Sequence, residues 1–167
     1  MKHNAPRNGL FVDYYENGKK RSEGSFKDGK QDGNWTGWYE NGQKSLEGTV
    51  KDGRKNGLLT MWYRNGRKRM EGTYTSGGKN GPLTLWYESG HKQGEGNYKN
   101  GQKDGPWSYW HENGLKRNEL NYKDSAPDGL WIFWDKEGSL TKTKTYKNGT
   151  LVNQRPNPKM GQFIPTS

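Results

Sequence analysis

One block of sequence recurs along this chain almost unchanged, and its period constrains the fold more than any other feature. Residues 33–57 read GNWTGWYENGQKSLEGTVKDGRKNG, and the closing glycine of each copy opens the next copy. These boundary glycines stand 24 residues apart without insertion or deletion: Gly9, Gly33, Gly57, Gly81, Gly105 and Gly129. A period of this size is typical of stacked repeats, in which each unit buries its apolar residues only against its neighbours. We therefore expect a thin, extended array rather than a globule with a deep core.

Each unit is predicted to form a hairpin of two strands. In the first unit, residues 10–16 lead to Asn17-Gly18, and residues 19–27 lead to Asp28-Gly29. Asn-Gly favours a two-residue hairpin turn, because both turn positions need a positive φ. Frequent glycine and the lack of a 3.6-residue apolar pattern argue against helix. The predicted fold is all-β, an elongated, single-layer antiparallel β-meander of six 24-residue β-hairpin repeats.

Three segments follow from this pattern. Residues 1–9 are predicted to be a polar N-terminal arm, and residues 10–149 to be the six repeats. Residues 150–167 contain Pro156, Pro158 and Pro165, and we expect a tail without regular structure, because proline cannot donate a ladder hydrogen bond.

Two-residue Asn-Gly turns would place Phe11 opposite Gly24 and Trp35 opposite Gly48. A large side chain over a strand glycine covers its exposed backbone. The other face would then carry a row of large aromatic residues, here called the tryptophan row: Tyr14, Trp38, Trp62, Trp86, Trp110 and Trp134. In this register Arg21, Arg69 and Arg117 lie opposite members of the row and can stack on their rings. A bulged turn would shift this register by one residue.

The tryptophan row has two interpretations. It either packs along the sheet as structure, or it forms a partly exposed binding face, because a single layer cannot cover both of its sides. Tryptophan and arginine are also frequent among the residues that dominate binding energy.

Positive charge is concentrated in one unit. The chain carries a formal net charge of +10, and residues 58–81 hold much of it, with Arg64, Arg67, Lys68 and Arg69 around one turn. We expect this turn to meet an acidic patch on a partner protein, with Arg67, Lys68 and Arg69 as candidate binding residues beside the tryptophan row.

The remaining polar patterns indicate structure rather than chemistry. Glutamates that recur once per unit would lie about 9–10 Å apart in similar environments, which does not suit an acid–base pair, and cross-strand pairing with lysine and threonine explains them. The Asp-Gly-x-x-Asp-Gly links carry too few oxygens for calcium. The three histidines are far apart in sequence, and the chain has no cysteine. We expect no catalytic residue, no metal site and no cofactor.

The two ends of the array differ. Lys142 and Lys144 are predicted to point inward from the last strand, towards the face of Trp131 and Phe133, which would protect that edge. Residues 10–15 read LFVDYY, with Asp13 as the one charge. This N-terminal edge could pair with a second copy to form a homodimer, unless residues 1–9 fold back over it.

The start of the chain shows no apolar run of signal-peptide length, and no stretch approaches the roughly 20 apolar residues of a membrane span. We therefore expect a cytoplasmic protein.

The run N-G-x-K-x-x-E-G-x-Y-x-[DN]-G-x-x-[DN]-G-x-W-x-x-W-Y resembles the MORN repeat, and more closely its bacterial variant in proteins labelled YwqK-family antitoxins. The resemblance covers residues 9–149, with departures at Leu120, Ser125 and Asp135. It implies a non-catalytic array of β-hairpins that acts as a scaffold, a dimerisation module or a lipid binder.

These observations favour a protein–protein interaction module that neutralises or scaffolds an unidentified partner protein, as an antitoxin or immunity protein would. Nucleic-acid or anionic-lipid binding through basic and aromatic residues is the main alternative. Carbohydrate binding is a second alternative, and an enzyme is the least expected class.

Overall fold

The computed structural model describes residues 6–156, and all regular structure in this range is β-strand. Fifteen strands form one antiparallel sheet. In chain order they are β1 (Gly9–Tyr14), β2 (Lys20–Lys27), β3 (Lys30–Gln31), β4 (Gly33–Trp38), β5 (Lys44–Lys51), β6 (Arg54–Trp62), β7 (Lys68–Thr75), β8 (Gly78–Trp86), β9 (Lys92–Lys99), β10 (Gln102–Trp110), β11 (Lys116–Lys123), β12 (Ala126–Pro127), β13 (Gly129–Trp134), β14 (Leu140–Lys147) and β15 (Thr150–Pro156).

The strands follow one another across the sheet as a meander. Each long strand pairs with the long strands before and after it, while the short β3 and β12 pair with β2 and β11. The predicted all-β meander of hairpin repeats is therefore confirmed. Between residues 6 and 156 no helix is long and apolar enough to cross a membrane.

The prediction of a two-residue turn at Asn-Gly is wrong. In the first unit Gly18 has φ 79° while Asn17 has no positive φ, and the Gly18 amide donates to the Tyr15 carbonyl at 3.0 Å. This is a three-residue loop whose last residue is left-handed. The two-residue turns with positive φ at both positions lie in the links instead, where Asp28 has φ 50° and Gly29 has φ 78°.

The longer loop does not shift the strand register, because a bulge compensates for it. Asp13 pairs with Ser22, but the next residue, Tyr14, pairs with Lys20, which leaves Arg21 unpaired. Beyond the bulge, Phe11 lies opposite Gly24 as predicted. The same compensation recurs in the other five long hairpins.

The bulge changes the partners of the tryptophan row. Lysines occupy the positions predicted for arginine, as in the pairs Trp62–Lys68 and Trp110–Lys116. The predicted stacking of arginine on the tryptophan row is therefore wrong. Arg21, Arg69 and Arg117 are the bulged residues, and their side chains reach the other face, where they contact Asp13, Met61 and Tyr109 respectively.

That other face is here called the glycine-row face, after Gly24, Gly48, Gly72 and Gly96. The register pairs Leu59 with Gly72, as predicted. The side chain of Leu59, however, extends towards the strand on its other side and covers Gly48. A Cβ built on Gly48 would lie 2.7 Å from Leu59 Cδ1, and one on Gly72 would lie 2.7 Å from Leu83 Cδ1. Each large residue thus covers the glycine of the preceding hairpin, which joins successive units by packing.

The buried residues form a strip along the glycine-row face. Trp107 is 2% exposed and packs with Leu83 and Leu120. Where the first unit meets the second, Phe11, Phe26 and Trp35 form a ring cluster with centroids 5.6–6.0 Å apart. Aromatic rings and leucines therefore share the burial along this single layer.

The prediction of an irregular tail is wrong for residues 150–156. These residues form β15, which pairs with β14. Pro156 is the last residue of this outer strand, a position where the missing backbone N–H of proline is tolerated. Residues 157–167 lie outside the described residues. Lys142 and Lys144 do lie on the face of Phe133 and Trp131 as predicted, but β14 is not the edge strand that they were expected to protect.

The N-terminal arm is partly described. The Arg7 carbonyl accepts from the Gly29 amide at 2.7 Å, and Asn8 Oδ1 accepts from the Asp28 amide at 2.8 Å. Arg7 and Asn8 therefore hold the first link turn beside β1. Residues 1–5, on which the predicted fold-back over the edge also depends, lie outside the described residues.

Candidate binding faces

The face that carries the tryptophan row is half-buried rather than open. Tyr14, at the start of the row, is 47% exposed, and the five tryptophans that follow it are intermediate in exposure. The structure brings all six predicted residues into one line. It does not decide between the two interpretations of the row, and its role in binding stays a prediction.

Lysines cover the tryptophans of this face. Lys68 Nζ lies 5.7 Å from the ring centroid of Trp86, and Lys92 Nζ lies 5.3 Å from that of Trp110. Each of these lysines also pairs with the glutamate three residues further on, as in Lys92–Glu95 at 2.7 Å. The expected cross-strand pairing of these glutamates with lysine is therefore wrong, because the bulge places residues i and i+3 of one strand on the same face. Cross-strand pairing with threonine occurs between Thr60 and Glu71, at 3.4 Å. The lysine and glutamate rows cancel in charge, and exposed pairs of this kind stabilise little.

The hydrogen bond between Lys20 and Glu23 raises the pKa of Lys20 above 10.5. Lys20 therefore stays charged at neutral pH, and its salt bridge to Glu23 makes this part of the face a mixed surface of basic and acidic side chains.

Tyrosines next to the row tie each unit to the following one. The Tyr39 hydroxyl donates to the Trp62 carbonyl at 2.6 Å, and the Tyr63 hydroxyl donates to the Trp86 carbonyl at 2.7 Å. Tyr15, Tyr87 and His111 make the equivalent contacts in their units. The regular W-Y spacing was visible in the sequence, but the inter-unit hydrogen bonds were not anticipated.

The basic turn of the third unit does not form a single patch. Arg67 binds the Glu88 and Ser89 carbonyls of the next turn. Lys68 lies on the tryptophan-row face, paired with Glu71, and Arg69 reaches Met61 on the glycine-row face. All three side chains are exposed, yet they point in three directions, and their role towards a partner stays a prediction.

The glycine-row face carries a second pattern that the sequence analysis missed. Lysine and tyrosine alternate across strands β6 to β11 in one line, here called the lysine–tyrosine row: Lys55, Tyr74, Lys79, Tyr98, Lys103 and Tyr122. Each lysine lies over the next tyrosine, with Nζ 5.2, 4.8 and 5.0 Å from the three ring centroids. The signal in the sequence was a lysine two residues after the glycine of Asp-Gly, or of its equivalent, in successive units.

Lys103 is the lysine of this row that lies over the most aromatic rings, those of Trp107, Tyr109 and Tyr122. Its Nζ lies 4.4 Å from the Trp107 centroid and donates to the Tyr109 hydroxyl at 2.7 Å. Burial opposes the charge of Lys103, but the hydrogen bond to Tyr109 and the neighbouring phenols outweigh it and raise its pKa above 10.5. Burial likewise raises the pKa of Tyr122 above 10.0. Lys103 therefore stays charged although aromatic rings surround it.

Most cations of the glycine-row face have no carboxylate partner within residues 6–156. Within residues 6–156 its one strand carboxylate is Asp13, which Arg21 already binds. Seven further cations on this face form no salt bridge in the described part of the chain: Lys55, Arg69, Lys79, Lys103, Arg117, Lys142 and Lys144. Lys51 and Lys99 on the tryptophan-row face also form no salt bridge within residues 6–156, so the glycine-row face differs in that the unpaired lysines of its row lie over tyrosine rings.

Beside the row, the glycine-row face has an open apolar groove of about 280 Å³, lined in part by Trp35, Leu46, Val50, Leu59 and Met61. The described residues contain no group of three or more histidine, aspartate or glutamate side chains that could hold a metal ion. The arrangement can therefore contact a surface through rings and cations.

A family model described as the MORN repeat variant matches five segments of the chain, at residues 7–28, 31–52, 79–100, 103–124 and 127–148. The matched segments keep the 24-residue period and cover well over half of the chain. Residues 55–76, in phase with the others, are not matched. No curated protein matches the chain.

Proposed function

The chain belongs to the MORN repeat variant family, and from this premise we propose that it is a non-catalytic module that binds a partner protein across its sheet. Neutralisation of that partner, as by an antitoxin or immunity protein, is the first form of this proposal. Scaffolding of the partner is the second form.

The observation that carries the proposal is the incomplete burial of aromatic side chains on both sides of one layer. Apart from Trp35, Tyr74 and Trp107, the described tryptophans and tyrosines keep part of their surface open. Contiguous partly open aromatic surface is typical of contact sites, where aromatic residues and arginine are enriched. A sheet that ends in exposed edges also offers backbone groups to a partner strand.

The test is capture followed by direct binding. The immobilised full chain is incubated with nuclease-treated lysate of its native host at about 0.15 M salt, and retained proteins are purified and titrated against the chain by calorimetry. We expect a protein that binds in solution with a defined stoichiometry. Retention of no protein, or of none that binds after purification, would overturn the proposal.

The neutralising form needs a further readout. If the purified partner has an enzymatic or toxic activity, an equimolar amount of the chain should suppress it. Binding without any change in that activity would favour the scaffolding form.

The unpaired cations on the glycine-row face support one second candidate, the binding of a polyanion such as nucleic acid or an anionic membrane. Such binding releases counterions and weakens steeply with salt. Titration of a single-stranded oligonucleotide and of anionic vesicles at two salt concentrations tests it. Affinity that is absent at about 0.15 M salt would remove this candidate.

A further inference from the structure

We propose that the lysine–tyrosine row is a docking site for an acidic, proline-containing segment of the partner, bound in the polyproline II conformation with a carboxylate at every third position. This inference rests on the proposed protein-binding function. It adds to that function the chemistry, spacing and location of the segment that is recognised.

The spacing of the lysines sets the period of the ligand. Lys55, Lys79 and Lys103 stand two strands apart, and neighbouring strands are about 4.8 Å apart, so the lysines repeat at about 9.6 Å. Three residues of polyproline II rise about 9.3 Å. A carboxylate at every third residue therefore meets each lysine in turn when the segment runs across the strands.

The chemistry of the row matches such a ligand. The lysine charges have no carboxylate partner in the described part of the chain, so an incoming carboxylate replaces no existing salt bridge. The tyrosines between them provide the aromatic surface on which proline rings dock in other polyproline II recognition sites. Because this conformation is already extended before binding, little ordering cost opposes docking.

Exposure of the row permits access from solvent. Lys55 is exposed, and Lys79, Lys103, Tyr98 and Tyr122 are intermediate, while Tyr74 is 7% exposed under Lys55. The ligand therefore reaches the ammonium groups directly and the rings at their edges. Within residues 6–156 the row lies on one open face of the sheet, which leaves room for a segment longer than three repeats.

The favoured occupant is a peptide rather than a nucleic acid. Single cations alternate with single rings along the row, and the distance between successive cations matches three residues of an extended peptide. Sequence-tolerant nucleic-acid sites instead combine a backbone-tracking basic groove with rings that stack on successive bases.

The experiment titrates fluorescent peptides against the full chain by anisotropy. The probe is a repeating Glu-Pro-Pro peptide. One control has the same composition with its glutamates in a block, and another has Gln-Pro-Pro repeats. We expect the periodic acidic peptide to bind about tenfold more tightly than either control. Equal affinity for the block peptide would overturn the spacing, and equal affinity for the glutamine peptide would overturn the role of charge.

Charge reversal locates the site. Lys79→Glu and, separately, the more exposed Lys55→Glu should each weaken binding of the periodic peptide about tenfold. Lys51→Glu and Lys99→Glu make the same change in net charge at exposed positions on the opposite face and should weaken it less than twofold. Circular dichroism melting shows that each variant is folded. Equal losses on both faces would overturn the proposed location.

The same variants separate this inference from the proposed function. A captured partner that binds Lys55→Glu and Lys79→Glu as tightly as the original chain would overturn the docking site and leave the protein-binding function intact. If no partner is captured but the periodic peptide binds at the row, the proposed function fails and the site remains. Tighter binding of an oligonucleotide than of the peptide, lost in Lys79→Glu, would overturn the peptide as occupant.

Discussion

At the scale of single residues, Gly72 shows why the units need a glycine between large side chains. It lies under Leu83 of the following hairpin, and its φ is not in the left-handed region, so space rather than backbone conformation requires glycine. Leu83 is 4% exposed and has little room to move.

Gly72→Ala is therefore expected to destabilise the chain by about 1–3 kcal/mol through overpacking. Gly78→Ala is the matched control, because its Cβ would meet only the Thr75 carbonyl, at 3.7 Å. We expect the control to be neutral or slightly stabilising. Urea unfolding measures both variants, and similar losses in the two would contradict the packing account.

The tyrosine hydroxyls are the second residue-scale feature. Tyr63→Phe removes the hydrogen bond to the Trp86 carbonyl and should cost about 0.5–1.5 kcal/mol of unfolding free energy. Tyr14→Phe changes a tyrosine that is 47% exposed and should have a smaller effect. Chemical denaturation under one buffer condition compares them, and a larger loss for Tyr14→Phe would show that the inter-unit bond contributes nothing.

The stability of the chain at alkaline pH tests the contacts between Lys103 and the aromatic rings around it. The pKa values of Lys103 and Tyr122 are both raised in the folded chain, so the associated stability is complete below their ordinary values of 10.5 and 10.0. It is lost as pH rises through the raised values. We expect the melting temperature to fall above about pH 10 in the original chain and to fall less in Tyr122→Phe, which removes one of these titrations. A fall that begins near neutral pH would contradict this assignment.

At the scale of elements, the sequence predicted where turns occur better than which type they adopt. Asn-Gly and Asp-Gly both indicate turns, but Asn17-Gly18 closes a three-residue loop, while Asp28-Gly29 forms the two-residue turn. The longer loop takes one residue from the first strand of the hairpin, and the bulge leaves Arg21 of the second strand unpaired. The two changes compensate, so the strand pairs beyond the bulge are those predicted. No local pattern marked the bulge, because lysine and arginine are both acceptable on either face.

We propose that the edge strand β1 forms the interface of a homodimer. Its Leu10 side chain is 69% exposed, and its outer backbone groups have no neighbouring strand in the described chain. Two copies that pair here about a two-fold axis would form a closed dimer.

Leu10→Lys places a charge at this edge and should shift a dimer towards monomer in light scattering at micromolar concentration. Leu58→Lys is the matched control, because it occupies the equivalent position of the interior strand β6 and is 54% exposed. It should leave the dimer intact. A monomeric original chain, or equal effects of the two variants, would show that β1 is not a dimer interface.

At the scale of the whole molecule, the 24-residue period was sufficient to predict an elongated meander, because each unit must bury its rings against the next. The extent of the sheet was less predictable. Residues 150–156 follow the turn at Asn148-Gly149, in which both residues have a positive φ, and they form a strand because β14 offers them an open edge.

The difference between the two faces could not be predicted from the sequence, because it depends on the direction in which bulged and paired residues point. Five lysines face glutamates along the tryptophan row, and seven cations of the glycine-row face do not. We propose that the tryptophan row joins successive units, through contacts such as Lys68 over Trp86, and that the lysine–tyrosine row binds the partner.

The most direct test of that account is ¹⁵N NMR of the eight tryptophan indoles during titration with the Glu-Pro-Pro peptide, with each signal assigned by Trp→Phe substitution. Trp35, Trp107 and Trp131 lie on the glycine-row face, and the other five lie in the tryptophan row. We expect the Trp107 signal, whose ring lies beside Lys103, to shift while the five tryptophan-row signals stay unchanged. Shifts confined to the tryptophan row, with Trp107 unmoved, would contradict the account.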